Sequence, residues 1–184
     1  MSDGGSAGTA WLSATAWSGI VEEVAGRFPR ETGGVLLGYW VREPPTPATG
    51  AQAATIIGPE VVITSFLGPG PSAIHGVDSF VPDHAFQDCE IAKIYEKSDR
   101  RITYLGDWHS HPRGAASLSW KDRRTLRRIA CSDGARAPIP LMFVVAAKTL
   151  TESVLWYTDR RSISKFSRFS NALPLWNLRI TPFE

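Results

Sequence analysis

Residues 106–122 read GDWHSHPRGAASLSWKD, and this stretch decides both the local fold and the chemistry that the fold can support. It holds two of the four histidines, His109 and His111, then a proline, then Ser119 and Asp122. Side chains at i and i+2 of an extended segment lie on one face, so both imidazoles can reach one metal ion. With a carboxylate they form a three-ligand set that leaves one position of a tetrahedral zinc open, as hydrolysis requires.

Each part of this stretch also has a purely structural interpretation. A His-x-His pair at a strand end need not bind a metal ion, because this spacing alone is weakly specific for a metal site. Ser119 with an acid three residues later resembles a capping box, although Glu or Gln is the usual partner. The interpretations are compatible, since the positive end of a helix favours the ionised carboxylate that a metal needs. The Ser119 hydroxyl can cap the helix or stabilise a developing oxyanion.

Hydrophobic periodicity on both sides of this stretch predicts a mixed α/β domain with helices packed on a central sheet. Helices are predicted to begin at Ser13 or Thr15, at Asp83 and at Ser119, and the first and third to end near Phe28 and Cys131. Strands are predicted at Trp11 and Leu12 and over residues 34–41, 53–57, 61–65, 102–108, 139–147 and 153–157. The last two strands should form a hairpin that turns at Lys148 and Thr149.

The remaining segments are predicted as a second amphipathic helix, connectors and a docked C-terminus. The helix after Asp83 should pack through Phe86, Cys89, Ile91, Ala92 and Tyr95. Residues 43–47 (EPPTP) form a turn, and an irregular loop runs from Gly68 to about Pro82. The last 25 or so residues should dock on the domain through Phe166, Phe169, Leu173, Leu175 and Trp176.

Length and composition indicate one soluble domain. The chain has 184 residues, and its formal net charge of +2 is too small to indicate a nucleic-acid partner. Its two cysteines form no disulfide framework, which is typical of a cytoplasmic protein. No apolar run reaches the roughly 20 residues that span a bilayer. We expect a disordered tail over residues 1–9 and a single domain over residues 10–184.

A zinc hydrolase also needs a general base, and Glu31 is the candidate. It precedes a glycine pair and a buried strand in residues 31–38 (ETGGVLLG), where spacing alone indicates a solvated loop residue. The motif Glu31-Thr32-Gly33-Gly34, the motif His109-x-His111-Pro112 and the motif Ser119-x-x-Asp122 together resemble the signature of the JAB/MPN metalloprotease family, also called JAMM. The resemblance extends over about residues 11–157.

The resemblance implies a fold, a cofactor and a role for each site residue. The fold would be a single JAB/MPN, cytidine-deaminase-like domain with a central mixed, mostly antiparallel sheet flanked by helices. His109, His111 and Asp122 would bind one catalytic Zn²⁺ ion with water as the fourth ligand. Glu31 would be the general acid/base, and Ser119 would help to stabilise the tetrahedral intermediate.

Two further segments, Phe80-Val81-Pro82-Asp83 and residues 104–112, are similar to bacterial JAB proteins of mobile elements and CBASS anti-phage operons. Those proteins accompany E1- and E2-like conjugation enzymes and a cGAS-like nucleotidyltransferase. This resemblance implies an isopeptidase that cleaves after the tail of a ubiquitin-like protein or conjugated target. Its partners would be that target and the E1- and E2-like proteins, with neither nucleic acid nor membrane involved.

The family also suggests where the substrate binds. Active members hold the substrate tail as an added strand, and residues 67–82 correspond to their first substrate-contacting insertion, although a plain connector is the alternative. The second insertion, which reads polyubiquitin linkage, would fall between Phe143 and Trp156. Only a tight turn fits there, so cleavage of a single tail is favoured over cleavage of chains.

Rival interpretations remain open for the whole chain and for individual residues. The chain can instead be a non-catalytic MPN-type scaffold or a RadC-like, DNA-associated protein. A second metal site at His75, His84 and Cys89 has irregular spacing. The four residues Arg123, Arg124, Arg127 and Arg128 form a solvated helix face or a docking patch for an acidic partner. Cys131 is expected to be buried at a helix end, and Met142 and Trp156 are expected in the core.

Overall fold

The computed structural model describes residues 8–44, 58–163 and 173–184. The helices of this part are α1 (Ala14–Arg27), α2 (His84–Lys97) and α3 (Trp120–Cys131). Its strands are β1 (Thr9–Ser13), β2 (Gly33–Arg42), β3 (Glu60–Leu67), β4 (Ile74–His75), β5 (Phe80–Val81), β6 (Thr103–His111), β7 (Leu141–Ala146), β8 (Val154–Tyr157) and β9 (Trp176–Phe183).

Seven strands form one closed sheet in the order β1-β3-β2-β6-β7-β8-β9, and β9 closes it by pairing with β1. The expected α/β class with a central mixed sheet is confirmed. The closure was not expected, and the sheet is not distinctly antiparallel, because β1–β3, β1–β9 and β6–β7 are parallel pairs. β4 and β5 form a separate two-stranded sheet.

The core has two parts that meet at β7, whose six residues are all buried. Alternate side chains of a strand point to opposite faces. Leu141, Phe143 and Val145 therefore pack with α1 and the barrel interior, while Met142, Val144 and Ala146 pack with α3 and the segment before it. Burial on both faces explains why β7 is a continuous apolar run. Met142 is 2% exposed, as expected for a core residue.

The predicted helix starts are confirmed, because each carries a polar N-cap side chain. Ser13 accepts a hydrogen bond from the backbone of α1, and Asp83 Oδ1 accepts one from the Phe86 amide at 3.1 Å. Ser119 caps α3. Such caps satisfy amides that have no partner within the helix.

The predicted inner face of α2 is wrong in part. Phe86, Cys89 and Ala92 are exposed, and the buried residue of the helix is Gln87, which donates to the Gly68 carbonyl at 2.9 Å. α2 is peripheral, so a hydrogen bond to a loop sets its rotation instead of an apolar seam. Cys131 is also exposed and not buried. The inward positions at the end of α3 are Leu126 and Ala130, and the next residue points away from them.

Several strands differ in extent from their predictions. β6 continues to His111, so both histidines lie inside the strand. The expected loop before α2 contains the hairpin of β4 and β5. The β7–β8 hairpin is confirmed, with a 3-10 turn at Leu150–Glu152 between its strands. Within the described ranges, no helix is long and apolar enough to cross a bilayer.

The C-terminal segment docks more extensively than expected, since Leu173 is buried and β9 pairs on both sides. Other predictions lie outside the described residues: the strand over 53–57, residues 1–7 of the expected tail, residues 45–47 of the turn, and the contacts of Phe166 and Phe169. β1 begins at Thr9, the last residue assigned to that tail.

Candidate metal centre

The C-terminal end of β6 presents His109 and His111 on one face of the barrel wall. The strand lies between β2 and β7, with His109 opposite Gly33 on one side and Val144 on the other. Trp108 and Ser110 alternate with the histidines and are buried on the opposite face. The strand pleat therefore directs both imidazoles out of the core and towards α3.

Asp122, in the first turn of α3, completes a three-residue cluster. The Nε2 atoms of His109 and His111 are 3.0 Å apart, and they lie 3.4 and 3.7 Å from the two oxygens of Asp122. Ligands about 2.0–2.1 Å from a tetrahedral zinc are separated by about 3.3 Å, so this triangle suits such an ion. It is the one candidate metal cluster of the described residues, and His75, His84 and Cys89 are not brought together.

A hydrogen bond from its other ring nitrogen fixes the orientation of the His111 imidazole. Its Nδ1 donates to the Ala115 carbonyl at 2.9 Å, which leaves the Nε2 lone pair directed at the centre. The segment that provides this carbonyl is itself anchored, because Trp156 Nε1 donates to the Ala116 carbonyl at 3.1 Å. Ala116 and Leu118 pack in the core between α3 and β7. The second core therefore supports a ligand of the centre.

Asp122 is held in its ionised form by the start of α3. Ser119 and Asp122 form the capping box that their spacing indicated: the Ser119 amide donates to Asp122 Oδ2 at 2.7 Å, and the Asp122 amide donates to Ser119 Oγ at 3.2 Å. Burial opposes ionisation, but His109 and the two Ser119 hydrogen bonds hold the pKa of the Asp122 carboxyl well below its ordinary value. An ionised carboxylate is the form that binds metal.

The Ser119 side chain is exposed at the edge of the cluster. Its oxygen accepts the capping hydrogen bond, and its hydroxyl also hydrogen-bonds the Asp122 carboxylate and so helps to lower the pKa of that group. The capping role is thus observed, and it leaves the oxyanion role open.

Glu31 is placed by contacts from three elements. Its amide donates to the Gly76 carbonyl at 2.8 Å, and His75 Nδ1 donates to its carbonyl at 2.9 Å, so the β4–β5 hairpin holds its backbone. Thr32, fully buried, exchanges hydrogen bonds with Ser110 of β6, at 3.1 Å to Oγ and 2.8 Å from the Ser110 amide. Glu31 is therefore tied to the residue that lies between the two histidines.

The Glu31 side chain lies within electrostatic range of the cluster. Burial raises the pKa of the Glu31 carboxyl, the neighbouring His109 and His111 act to lower it, and Asp122 raises it. The net effect is a pKa above the ordinary value of 4.5. A carboxyl with a raised pKa beside a metal cluster is better suited to accept and return a proton.

The sequence did not identify the residues that position the centre. Ser110 holds the segment of Glu31 through two hydrogen bonds, and His75, Ala115 and Trp156 each hold a site residue or its segment through one. The alternation of β6 was the one available signal, since a serine between two outward-facing histidines must point inward and needs a buried partner.

Comparisons with known proteins agree with this arrangement. Residues 13–159 match the model of the family described as prokaryotic homologs of the JAB domain. The probable metalloprotease y4qB of Sinorhizobium fredii is 35% identical over 136 residues, which cover 73% of this chain and 74% of that protein.

A solved structure supports the same fold. The solution structure of a protein from Desulfitobacterium hafniense superposes with a TM-score of 0.60 at 15% identity, covering 96% of this chain and 94% of the other. At that identity the likeness concerns the fold alone. The family model matches most of the chain, and y4qB is 35% identical to it, so the chain belongs to the prokaryotic JAB domain family.

Proposed function

We propose that the chain is a zinc-dependent peptidase or isopeptidase of the JAMM type that cleaves after the C-terminal tail of a ubiquitin-like or conjugated protein. One observation carries the proposal: two imidazole nitrogens and a carboxylate converge within 4.8 Å, and a carboxyl of raised pKa stands beside them. The name of the related metalloprotease supports the peptidase chemistry.

His109, His111 and Asp122 would hold the zinc ion, and the donor set fits it. Two neutral imidazoles and one carboxylate are a common ligand set of catalytic zinc, and they leave one coordination position to water or substrate. Zinc bound there supplies Lewis acidity, which activates water and polarises a carbonyl at neutral pH.

Glu31 and Ser119 perform the proton transfer and charge stabilisation. The Glu31 carboxylate accepts a proton from the attacking water as its oxygen bonds to the scissile carbonyl carbon. The Ser119 hydroxyl donates a hydrogen bond to the carbonyl oxygen as that oxygen becomes negative. When the C–N bond breaks, Glu31 returns the proton to the leaving amine, so the carboxylate is regenerated.

The β4–β5 hairpin supports an extended tail as the substrate. It lies beside Glu31 through the Gly76 and His75 hydrogen bonds, and it exposes Ile74 and Val81 to solvent. An exposed strand edge with apolar side chains binds an added strand. The β7–β8 connection is short, and its brevity favours a single tail over a polymer chain.

The biological setting that we propose is the reversal of bacterial ubiquitin-like conjugation in anti-phage defence. The target would be a protein joined to its partner through E1- and E2-like enzymes, such as a cGAS-like nucleotidyltransferase. The resemblance of Phe80-Val81-Pro82-Asp83 and residues 104–112 to such bacterial proteins supports this setting.

Replacing Glu31 tests the chemistry. We expect Glu31→Gln to reduce cleavage of a ubiquitin-like fusion protein by about 10²- to 10⁴-fold, because the general base is lost while all three ligands remain. Zinc content should not change. Glu22→Gln, an exposed position on α1, is the matched control and should cleave normally. Cleavage retained by Glu31→Gln would exclude Glu31 as the base.

A further inference from the structure

The exposed side of α3 carries a row of positive charges beside the metal centre. Lys121, Arg124 and Arg128 are exposed and lie three or four residues apart, which places them on one stripe of the helix. We call these three residues the basic stripe. Trp120 precedes them with 56% of its surface exposed, and the Arg124 guanidinium carbon lies 5.4 Å from the centroid of its ring.

The small net charge of the chain conceals an uneven distribution. Residues 113–136 contain seven of the 20 basic residues and two of the 18 acidic residues. This segment is therefore strongly positive, while the remainder of the chain is net negative. Such asymmetry directs a negatively charged partner to one place on the surface.

The described part of the chain offers the basic stripe no carboxylate in ion-pair contact. Arginines on other surfaces do find such partners: Arg27 lies 3.0 Å from Glu23, and Arg160 lies 2.6 Å from Asp133. Outside the described ranges the sequence holds a single acidic residue, Asp3. The buried Asp107 carboxyl acts on Arg128 through space, and the residues outside the described ranges add one carboxylate with which to neutralise the stripe.

Two of these charges do not stabilise α3, whereas Arg128 lies in its last turn, where a positive charge is favoured. Lys121 and Arg124 lie at the start of the helix, where the helix dipole is already positive. Like charges three and four residues apart repel each other along the stripe. Because the repulsion between these side chains is unfavourable within α3, we expect a negatively charged partner outside the chain to offset it.

We propose that the basic stripe is a docking surface for an acidic segment of the polypeptide that is cleaved, an inference that rests on the proposed function. α3 also provides Asp122 and is capped by Ser119, so a chain bound on the stripe lies next to the scissile bond. Docking there raises the local concentration of the tail and accelerates encounter. A polypeptide suits the surface better than nucleic acid, since the remainder of the molecule is net negative.

Binding of a fluorescein-labelled hexaglutamate peptide with an amidated C-terminus to the zinc-loaded protein tests this surface. We expect fluorescence anisotropy to show binding that weakens as salt increases. The triple variant Lys121→Glu/Arg124→Glu/Arg128→Glu should bind about tenfold more weakly or worse. The matched control is Lys97→Glu/Arg100→Glu/Arg101→Glu, at the C-terminal end of α2 and in the connection to β6. It changes the net charge by the same amount and should bind the peptide like wild type.

Three results would overturn the inference. The first is that the wild-type protein does not bind the peptide. The second is that the stripe variant binds it as well as wild type, which would indicate that the glutamate carboxylates bind the metal. The third is that a single-stranded DNA of equal charge binds more tightly than the peptide. The salt dependence of wild type needs no variant, so a stripe variant that fails to fold does not obscure the outcome. Binding does not require cleavage, and failure here would leave the Glu31 test of the proposed function intact.

Discussion

Ser119 has two roles in this account that a pair of substitutions can separate. Its Oγ caps α3 by accepting from the Asp122 amide, and in the proposed mechanism its hydroxyl proton turns from the Asp122 carboxylate to the oxyanion. The first role contributes to the stability of α3, and the second contributes to the rate. Because the same atom serves both, loss of activity in a destabilised variant would not identify the cause.

We predict that Ser119→Ala loses both roles, whereas Ser119→Gly loses mainly the second. Alanine at an N-cap costs about 1 kcal/mol, while glycine costs only a few tenths. Both variants lack the donor, so kcat should fall by about 10²-fold or more in each. Thermal unfolding and cleavage rates check the two effects separately. A Ser119→Gly enzyme with normal kcat would restrict this residue to capping.

The cluster of His109, His111 and Asp122 could be predicted from sequence, whereas the residues that position it could not. The spacing of His109, His111 and Asp122 is local, so it is readable along the chain. Glu31 has no local mark, and its candidacy came from the family resemblance. The contacts of Ser110 and Trp156 depend on which strands become neighbours, which local spacing does not specify.

Among the elements, β2 depends on the glycine pair that follows Glu31. A Cβ at Gly34 would stand 1.9 Å from the Leu67 carbonyl oxygen, and one at Gly33 would stand 2.4 Å from that of Trp108. Both clashes are with backbone, which cannot move aside without breaking the sheet next to Glu31. The glycines therefore permit the close approach of β2 to its neighbours.

We predict that Gly34→Ala destabilises the protein by roughly 3 kcal/mol, since the added methyl overpacks the buried first half of β2. Gly26→Ala is the control, because a Cβ there meets nothing within 4 Å and alanine favours the helix by about 0.5–1 kcal/mol. Denaturant unfolding measures both. Equal stability of Gly34→Ala and wild type would contradict the packing described for β2.

The segment between His111 and α3 depends on Trp156 of β8. We predict that Trp156→Phe weakens zinc binding by about tenfold, because the Ala116 carbonyl loses its donor and the neighbouring Ala115 carbonyl no longer holds the His111 ring firmly. Chelator competition measures the affinity.

Trp40→Phe is the control for this effect. Trp40 packs against the other core cluster, next to Tyr157, whereas Ala116 belongs to the cluster around α3. It should leave the zinc affinity unchanged. Equal affinities in all three proteins would show that the segment needs no support from β8.

Helices and strands with a clear local sequence signal could be predicted, whereas a strand that depends on its neighbouring strands could not. The helices begin at polar caps that the sequence displays, such as Asp83. β9 (WNLRITPF) does alternate, with Trp176, Leu178 and Ile180 apolar and polar residues between them, but its asparagine and proline are unfavourable in strands, and only docking was predicted for this segment. It forms because β8 and β1 both leave an edge that it completes, which is a property of the assembled sheet.

At the scale of the whole molecule, the barrel brings together residues that are far apart in sequence. Thr32 and Ser110 are 78 positions apart, and their hydrogen bonds join the segment of Glu31 to the strand that carries His109 and His111. Asp122 arrives from a helix that packs on the second core. Because hydrogen bonds and a packed core hold these segments, we expect the zinc-free protein to be folded.

Zinc titration of the metal-free protein tests the central claim most directly. We predict one zinc ion per chain, with zinc at about a hundredfold over its Kd raising Tm by roughly 5–10 °C. Glu31→Gln should behave like wild type, whereas His111→Ala and Asp122→Ala should show neither stoichiometric zinc nor the rise in Tm. One zinc bound equally well by His111→Ala, or no zinc bound by the wild-type protein, would contradict the account.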